Sequence, residues 1–243
     1  SYTEGFVAAN VRRKGRFATL LRLAYRLFDR VVAVSRAQGE WLTRSGAVRA
    51  AALRVIPSCV DLSEFRAVAP ATGPLRVIGA IGRLDRQKGF DRLIRAFRDL
   101  PDPAVRLHVH GEGPELARLR DLAGADSRIA FKGFSADPVA AMRSVDVVAM
   151  PSNWEAYGLV AIEALSAGRR LLVNPVDGLT DHVPYGAQLV ETASEEGWRR
   201  ALSHLVAGEG TDAGAPILST EGLERAFAGQ WKCLISSLSI PVT

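Results

Sequence analysis

Cysteine is scarce in this chain of 243 residues, which contains only Cys59 and Cys233. Two cysteines cannot form the disulfide framework that staples small secreted domains, and such sparing use fits a reducing cytoplasm. The four histidines do not cluster with either thiol, so the sequence offers no zinc site of the Cys/His type. These absences exclude a disulfide-rich module and a zinc-binding module.

Long hydrophobic runs are absent as well. No apolar stretch approaches the roughly 18 residues that a membrane-spanning helix needs, and the first ten residues lack the pattern of a signal peptide. Hydrophobic residues nevertheless make up 48% of the chain and charged residues 23%, which is typical of a globular protein. At roughly 100–200 residues per domain, the length predicts one large domain or two small ones.

Charge is distributed unevenly. Residues 1–66 contain twelve Lys and Arg against five Asp and Glu, whereas the rest of the chain is close to neutral. Within this basic segment, residues 17–28 carry apolar side chains at helical spacing, with Arg22, Arg26 and Arg30 along another face. The pattern fits either a packed helix with a solvated basic face or a helix that lies on an anionic membrane surface. Nucleic acid is not an expected partner, because no alternation of aromatic and basic residues accompanies the arginines.

Short runs rich in Val and Ile alternate with segments of helical periodicity. The strand-like runs are Arg30–Ser35, Leu53–Ile56, Leu75–Ile81, Val105–His110, Arg128–Lys132, Val145–Met150 and Arg170–Val173. This alternation predicts right-handed β-α-β units and a parallel sheet covered on both faces, which is an α/β fold. Residues 67–74, with two prolines and a glycine, are predicted to be a linker. A last helix is predicted over 221–238, after a second loose tract at 207–216.

Ligands of parallel α/β sheets bind outside the carboxyl ends of the strands, and three loops at those ends are unusual. The loop after the third run reads G-R-L-D-R-Q-K-G, in which Gly82 permits close backbone approach and Arg83 and Lys88 supply two cations. It suits an anion such as a diphosphate, or it is an ordinary surface turn with solvated side chains. Residues 111–114 form a tight strand-to-helix turn, and neither loop completes the G-x-G-x-x-G fingerprint of dinucleotide sites.

The third loop reads P-S-N-W-E-A-Y-G and precedes a largely apolar helix. Gly158 stands where this helix begins, so the N–H groups of Leu159 and Val160 point outward at the positive end of the helix dipole. Glu155 lies in the loop, and Glu163 lies one to two turns into the helix. A carboxylate among apolar residues is costly unless it is paired or accepts hydrogen bonds, for example from sugar hydroxyls. The alternative is an exposed glutamate on a polar stripe.

Four ordered motifs resemble the retaining glycosyltransferases of family 4 (glycosyl transferases group 1), which have the two-domain GT-B fold. The matching segments are V-I-P-S-C-V-D-L-S-E-F (55–65), G-R-L-D-R-Q-K-G-F-D (82–91), G-E-G-P-E (111–115) and P-S-N-W-E-A-Y-G-L-V-A-I-E-A (151–164). They occur in the family's order and spacing, over about residues 30–240. A single pair of glutamates separated by seven residues would be weak evidence, whereas the four motifs together are specific.

The resemblance implies an α/β chain of GT-B type, with a Rossmann-like parallel-sheet domain that binds the nucleotide-sugar donor over residues 75–218. Residues 1–66 would be the carboxyl-terminal remnant of an acceptor domain, 67–74 a linker and 219–243 a helix that crosses back to the amino-terminal domain. The family's glycine-rich loop and acceptor-side histidine are not present in so short a leading segment. Because the chain also starts without Met, we expect an amino-terminal truncation and not a short native form that works with a partner.

The resemblance also implies three catalytic residues. Arg83 and Lys88 would bind the diphosphate and neutralise it as it leaves, and Glu155 would hold hydroxyls of the transferred sugar. Donors aimed at the leaving oxygen are the largest stabilising contribution available to this reaction. No metal and no cofactor are expected, since two cations can do this work and no Asp-x-Asp triplet is present.

A second set of residues would bind the donor. Glu163 would accept hydrogen bonds from the ribose, the first N–H groups of the helix would meet the phosphates, and Phe134 would lie beside the base. The full set is Gly82, Phe134, Ala156, Tyr157, Gly158, Leu159, Val160 and Glu163. Relatives commonly have Gly-Phe-Gly where this chain has Ala156-Tyr157-Gly158, and the added methyl restricts the backbone and could alter the sugar pocket.

The function implied by the resemblance is transfer of a hexose from a nucleotide-sugar to a glycan or lipid-linked acceptor, with retention of configuration, in cell-surface polysaccharide or glycolipid synthesis. The acceptor would attack from the face of the leaving group and pass its proton to the phosphate. A cytoplasmic location, extending to the inner face of the membrane if the basic helix docks there, is expected. The alternatives are a non-catalytic half that binds nucleotide-sugar, or a sugar phosphorylase or epimerase on the same fold.

Overall fold

A computed structural model describes residues 15–71, 73–208 and 218–238. The amino-terminal part contains a small parallel sheet of two strands. Its elements are α1 (Gly15–Tyr25), β1 (Val31–Ala33), α2 (Arg36–Arg44), β2 (Leu53–Val55) and α3 (Ser63–Arg66). Strand β1 pairs with β2, and α2 is capped at its amino end by Ser35, whose side chain accepts a hydrogen bond from the backbone N–H of Gln38.

The larger part of the chain alternates strands and helices. Its elements are β3 (Val77–Ile81), α4 (Phe90–Arg98), β4 (Arg106–His110), α5 (Leu116–Ala123), β5 (Ile129–Gly133), α6 (Pro138–Arg143), β6 (Val147–Met150), α7 (Leu159–Ser166), β7 (Arg170–Val173), β8 (Gln188–Leu189), α8 (Glu195–Val206) and α9 (Leu223–Ser237). A 3₁₀ segment, Asp177–Tyr185, connects β7 to β8. The seven predicted strands are all present, and their ends differ from the prediction by no more than two residues.

Strands β3 to β8 form one parallel sheet in the order β5-β4-β3-β6-β7-β8. Counted from β3, this is the order 3-2-1-4-5-6 of doubly wound dinucleotide-binding folds. The chain leaves the centre of the sheet in opposite directions from β3 and from β6. The crevice between the carboxyl ends of these two neighbouring strands is the place where such sheets bind ligands.

Both faces of this sheet are buried, as the strand pattern predicts. Helices α4, α5 and α8 cover one face with a core that includes Phe97, Leu119 and Trp198. Helices α3, α6 and α7 cover the other face, where Met142 and Ile162 are fully buried. Strand β6 is buried along its whole length because it lies in the middle of the sheet.

Among the labelled strands and α-helices, three were not predicted. Strand β8 has two residues, which is too short for a periodic signal, and α8 contains Gly197, which weakens its helical pattern. The short helix α3 places Leu62 and Phe65 in the core beneath α6 and α7, together with Val68 of the predicted linker. The residues just before position 67 therefore pack on the large sheet and not on the two-stranded one.

The last helix contacts the segment that precedes the linker. Glu224 of α9 accepts hydrogen bonds from the backbone N–H of Leu62 (3.0 Å) and from the guanidinium of Arg66 (2.5 Å). Leu234 is buried, whereas Ile235 is 64% exposed. The end of the predicted cross-over helix, residues 239–243, lies outside the described residues. No helix within the described ranges is long and apolar enough to cross a bilayer.

Candidate active site

Main-chain hydrogen bonds join the loops after β3 and β4. The N–H of Gly82 donates to the carbonyl of His110 (3.0 Å), and that of Leu84 donates to the carbonyl of Glu112 (2.8 Å). Gly111 has φ +136°, and a Cβ there would lie 1.9 Å from the Gly82 carbonyl oxygen. Only glycine permits this approach, so the turns after β3 and β4 are packed backbone against backbone.

The loop after β3 is also hydrogen-bonded to the loop after β6. The N–H of Asn153 donates to the carbonyl of Gln87 (2.7 Å), and its side-chain amide donates to the carbonyl of Arg86 (2.6 Å). Gly89 has φ +64°, and a Cβ there would lie 2.3 Å from the Pro151 carbonyl oxygen. The predicted diphosphate loop and the predicted sugar loop therefore form one bonded unit at the switch point of the sheet.

Lys88 and Glu155 meet across these two loops. The Lys88 Nζ lies 2.6 Å from Glu155 Oε2, and the two side chains are only 17% and 11% exposed. The hydroxyl of Ser152 lies 3.4 Å from the same oxygen. Arg83 pairs with Asp85 at 2.5 Å, and its side chain is 46% exposed. The sequence places Lys88 and Glu155 at one site, but it assigns them to different parts of the ligand and does not predict the pair.

The start of α7 lies against this ion pair. Gly158 precedes the helix with φ +85° and supplies no side-chain cap, so the first N–H groups of α7, at Leu159 and Val160, have no partner within the helix. A Cβ on Gly158 would lie 3.2 Å from the Cγ of Glu155. The positive end of the helix dipole and the cation of Lys88 are thus brought together at Glu155, as an anion site requires.

Glu163 lies on α7 and is largely buried. Burial raises the pKa of its carboxyl group above the usual value. No residue in the described part of the chain donates a hydrogen bond to this carboxylate, and no cation pairs with it. Because burial disfavours the charged form, hydrogen bonds from the hydroxyl groups of a ligand would stabilise this carboxylate.

Ala156 and Tyr157 are accommodated without strain. The backbone of Ala156 lies outside the left-handed region, so its methyl group does not force the loop into a glycine-only conformation. The Tyr157 ring is 5% exposed and packs 4.5 Å from the His182 ring, and the Tyr157 carbonyl lies 2.7 Å from His182 Nε2. Burial raises the pKa of the Tyr157 phenol. This side chain therefore packs beneath the loop.

Asp177, which the sequence did not single out, lies beside Glu155. It follows β7 with φ +35°, and it is the one non-glycine residue with positive φ among those the structure describes. The N–H of the next residue, Gly178, donates to the Glu155 carbonyl (3.0 Å). Burial, together with the neighbouring Glu155 charge, raises the pKa of Asp177, although the Glu155 backbone N–H opposes this. The positive φ of Asp177 is not indicated by any pattern in the sequence.

A pocket of about 370 Å³ opens beside Gly82, between the carboxyl ends of β3, β4 and β5. Its lining includes Ile81, Gly82, His110, Phe134, Pro138 and Ala141. Phe134 stands at the rim and is 72% exposed, whereas His110 is 8% exposed. The structure thus brings Phe134 and Gly82 to one pocket, and it adds His110, which the sequence analysis missed. In the described ranges, no three His, Cys, Asp or Glu side chains come together as a metal site would require.

Comparisons with known proteins identify the family of this chain. The family model described as "Glycosyl transferases group 1" matches residues 63–213, which is more than half of the chain. The mannosylfructose-phosphate synthase of Agrobacterium fabrum is 30% identical over 188 residues, or 68% of this chain and 41% of that protein. The D-inositol 3-phosphate glycosyltransferase of Segniliparus rotundus is 33% identical over 203 residues, or 74% of this chain and 44% of that protein. The chain thus spans less than half the length of these two relatives.

Solved structures share the fold at lower identity. Sucrose-phosphate synthase from Thermosynechococcus elongatus aligns with a TM-score of 0.71 and 24% identity, over 93% of this chain and 62% of that one. Anabaena Alr3699/HepE in complex with UDP aligns with a TM-score of 0.71 and 22% identity, over 91% of this chain and 67% of that one. These likenesses confirm the predicted parallel-sheet fold of the GT-B glycosyltransferases. With the match over residues 63–213, they show that the chain belongs to the glycosyl transferases group 1 family.

Proposed function

We propose that this chain is the donor-binding part of a retaining hexosyltransferase that uses a nucleoside-diphosphate sugar. The observation that carries the proposal is the convergence of the Lys88–Glu155 pair, the start of α7 and the unpartnered Glu163 at the switch point of the sheet. A cation and helix N–H groups suit a diphosphate, and buried carboxylates suit hydroxyl groups. UDP in the similar Anabaena structure supports a uridine nucleotide as the first ligand to test.

Each group has a chemical task in this proposal. Breaking the glycosyl–phosphate bond places negative charge on the diphosphate oxygen, and Lys88, Arg83 and the first N–H groups of α7 stabilise that charge. Glu155 accepts hydrogen bonds from the transferred sugar, and Glu163 accepts them from the ribose. The acceptor attacks from the face that the diphosphate leaves, and its proton passes to the departing phosphate, so the configuration is retained. The acceptor proposed is a glycan or a lipid-linked glycan.

Titration calorimetry with UDP tests the donor site. Hydrogen bonds to a charged acceptor contribute about 1.5–3 kcal/mol each, so loss of the two ribose contacts in Glu163→Ala should weaken binding by at least about a hundredfold. Glu196→Ala, at an exposed glutamate on α8, is the matched control and should bind UDP as the wild type does. Unchanged UDP binding by Glu163→Ala would remove Glu163 from the site. If the wild type binds none of UDP, ADP and GDP, the proposed function is rejected.

The stereochemical outcome and the rival reactions need a separate measurement. With a bound nucleotide-sugar and water as the acceptor, ¹H NMR soon after mixing shows the anomer of the released sugar before it equilibrates. Release of the donor's own anomer supports retention, and the opposite anomer refutes it. A phosphorylase would release sugar phosphate only when inorganic phosphate is added, and an epimerase would change the sugar without releasing nucleotide.

We also propose that residues 12–30, which include α1, attach the protein to an anionic membrane. The exposed side chains of Leu20, Leu23 and Leu27, at 63%, 55% and 85%, support this, as does the basic charge of residues 1–66. Each basic residue near such a surface contributes about 1 kcal/mol, and salt screens that attraction. Sedimentation with liposomes of rising anionic content should show salt-sensitive binding that weakens when the four basic residues of 12–16 are changed to Gln. Equal, salt-insensitive partitioning of both proteins would refute the attachment.

A further inference from the structure

His110 has hydrogen-bonding capacity that no described residue uses. It is the last residue of β4 and is 8% exposed, and its Nε2 atom is buried without a hydrogen-bond partner. Buried polar atoms in folded proteins are nearly always bonded, and exceptions are frequently explained by a ligand or a functional role. His110 is therefore an unexplained polar side chain at the carboxyl end of the sheet, and the Nδ1 atoms of His108 and His182 are also buried without a partner.

The pocket beside His110 suits a flat, weakly polar ring. Ile81, Pro138 and Ala141 supply apolar walls, and the exposed ring of Phe134 stands at the rim, where a base can stack on it. The volume of about 370 Å³ accommodates a small ring system. The pocket adjoins Gly82, which is close to the Lys88 side chain. A nucleotide whose base lies in the pocket would therefore have its phosphates near the proposed diphosphate site.

The charge state of His110 favours a base over a phosphate. Burial lowers the pKa of the ring, and the neighbouring His108 and Lys132 lower it further. The ring is therefore neutral at pH 7, with one nitrogen that donates and one that accepts. The ring nitrogen that faces a nucleobase offers it one donor or one acceptor, whereas a neutral ring offers no charge to a phosphate. Arg83 and Glu112 also line the pocket and supply charge nearer its mouth.

We propose that the His110 imidazole hydrogen-bonds the nucleobase of the donor and thereby determines which nucleotide this protein accepts. The proposal rests on the nucleotide-sugar function argued above, and it adds a specificity-determining residue to it. A site that hydrogen-bonds its substrate rejects analogues that leave the polar group unpaired, so one buried histidine can discriminate between bases.

The base preference of His110→Leu tests this inference. UDP, ADP, GDP and inorganic pyrophosphate are titrated into the wild type, His110→Leu, His110→Gln and His108→Leu. The last variant is a matched control, because His108 lies two residues earlier on the same strand and its ring is 6.1 Å from that of His110. We expect the wild type to prefer one base at least tenfold, His110→Leu to bind the three nucleotides within about threefold of each other, and pyrophosphate affinity to stay constant.

The other two variants distinguish a direct contact between His110 and the base from a structural role of the side chain. His110→Gln keeps a donor and an acceptor, so it should retain part of the preference, and it also serves as the readout if His110→Leu does not fold. His108→Leu should keep the wild-type preference. A wild-type ratio of affinities in both His110 variants would overturn the inference and leave the proposed function intact. If the wild type binds none of the three nucleotides, the proposed function is overturned, and the inference with it.

Discussion

The Lys88–Glu155 ion pair should contribute far more to stability than an exposed pair of the same geometry. At 2.6 Å, two unit charges attract by about 6 kcal/mol at the effective dielectric constant of about 20 found near protein surfaces. Desolvation of the two charges offsets much of this attraction. Because the side chains are only 17% and 11% exposed, removal of one partner would leave the other as a poorly solvated charge. Removal of one member of a buried pair costs about 3–5 kcal/mol, and slight exposure reduces our expectation to about 2–3 kcal/mol.

A double-mutant cycle measures this coupling directly. Lys88→Met and Glu155→Gln each remove the charge with little change in volume, and the double variant should regain about 2 kcal/mol relative to the sum of the single losses. Arg199 and Glu196 provide the matched control. They are also separated by 2.6 Å, but they are 42% and 53% exposed. Their coupling should be much smaller, because solvent screens the attraction between exposed charges.

Urea unfolding followed by circular dichroism at pH 7 gives all eight free energies of unfolding. Arg200 lies 3.6 Å from Glu196, so the control cycle is run in an Arg200→Gln background to isolate one pair. A coupling between Lys88 and Glu155 no larger than that of the control would refute the reasoning. It would mean that water reaches both charges in solution and that the bonded loops do not hold the pair in a poorly solvated position.

Three further changes probe the same region. Gly111→Ala, which would place a Cβ 1.9 Å from a backbone oxygen, should destabilise the fold by more than 3 kcal/mol, whereas Gly222→Ala, with φ +79° in open space, should cost about 1 kcal/mol by thermal unfolding. Asp177→Gly should raise the melting temperature, because it relieves about 1 kcal/mol of left-handed strain. Glu163→Gln should also be more stable than the wild type at pH 7. The raised pKa means that the folded state holds this proton more tightly than the unfolded state, so the difference should vanish as the pH falls below the ordinary glutamate pKa.

The sequence predicts the sheet well because the signals are local. Buried parallel strands need continuous apolar runs, and Val147–Met150 is buried at every position. The rule that ligands bind at the carboxyl ends of strands then places residues 82–89 and 151–158 at one edge without knowledge of the strand order. The resemblance supplies the roles of the residues in these loops. The structure adds the distances between them.

What the sequence cannot predict depends on contacts between distant positions or on backbone conformation. Lys88 and Glu155 are 67 residues apart, and only the crossing of two loops makes them partners. His110 resembles any histidine at the end of a strand until its missing partner and the adjoining pocket are seen. Asp177 looks like an ordinary turn residue, because its unusual φ does not show in its neighbours.

The glycines of these loops explain why the site is formed before any ligand binds. A Cβ on Gly113 would lie 2.3 Å from the Leu84 carbonyl, which is as prohibitive as the approaches at Gly111 and Gly89. Main-chain hydrogen bonds cross the same gaps, so the loops after β3, β4 and β6 hold one another at fixed separations. Groups that are fixed before binding lose little freedom when they meet charge in a ligand, and this favours electrostatic stabilisation of a leaving diphosphate. Glycine loses more conformational entropy on folding than other residues do. At these positions that loss is offset, because the close backbone packing fixes the position of Lys88 relative to the start of α7.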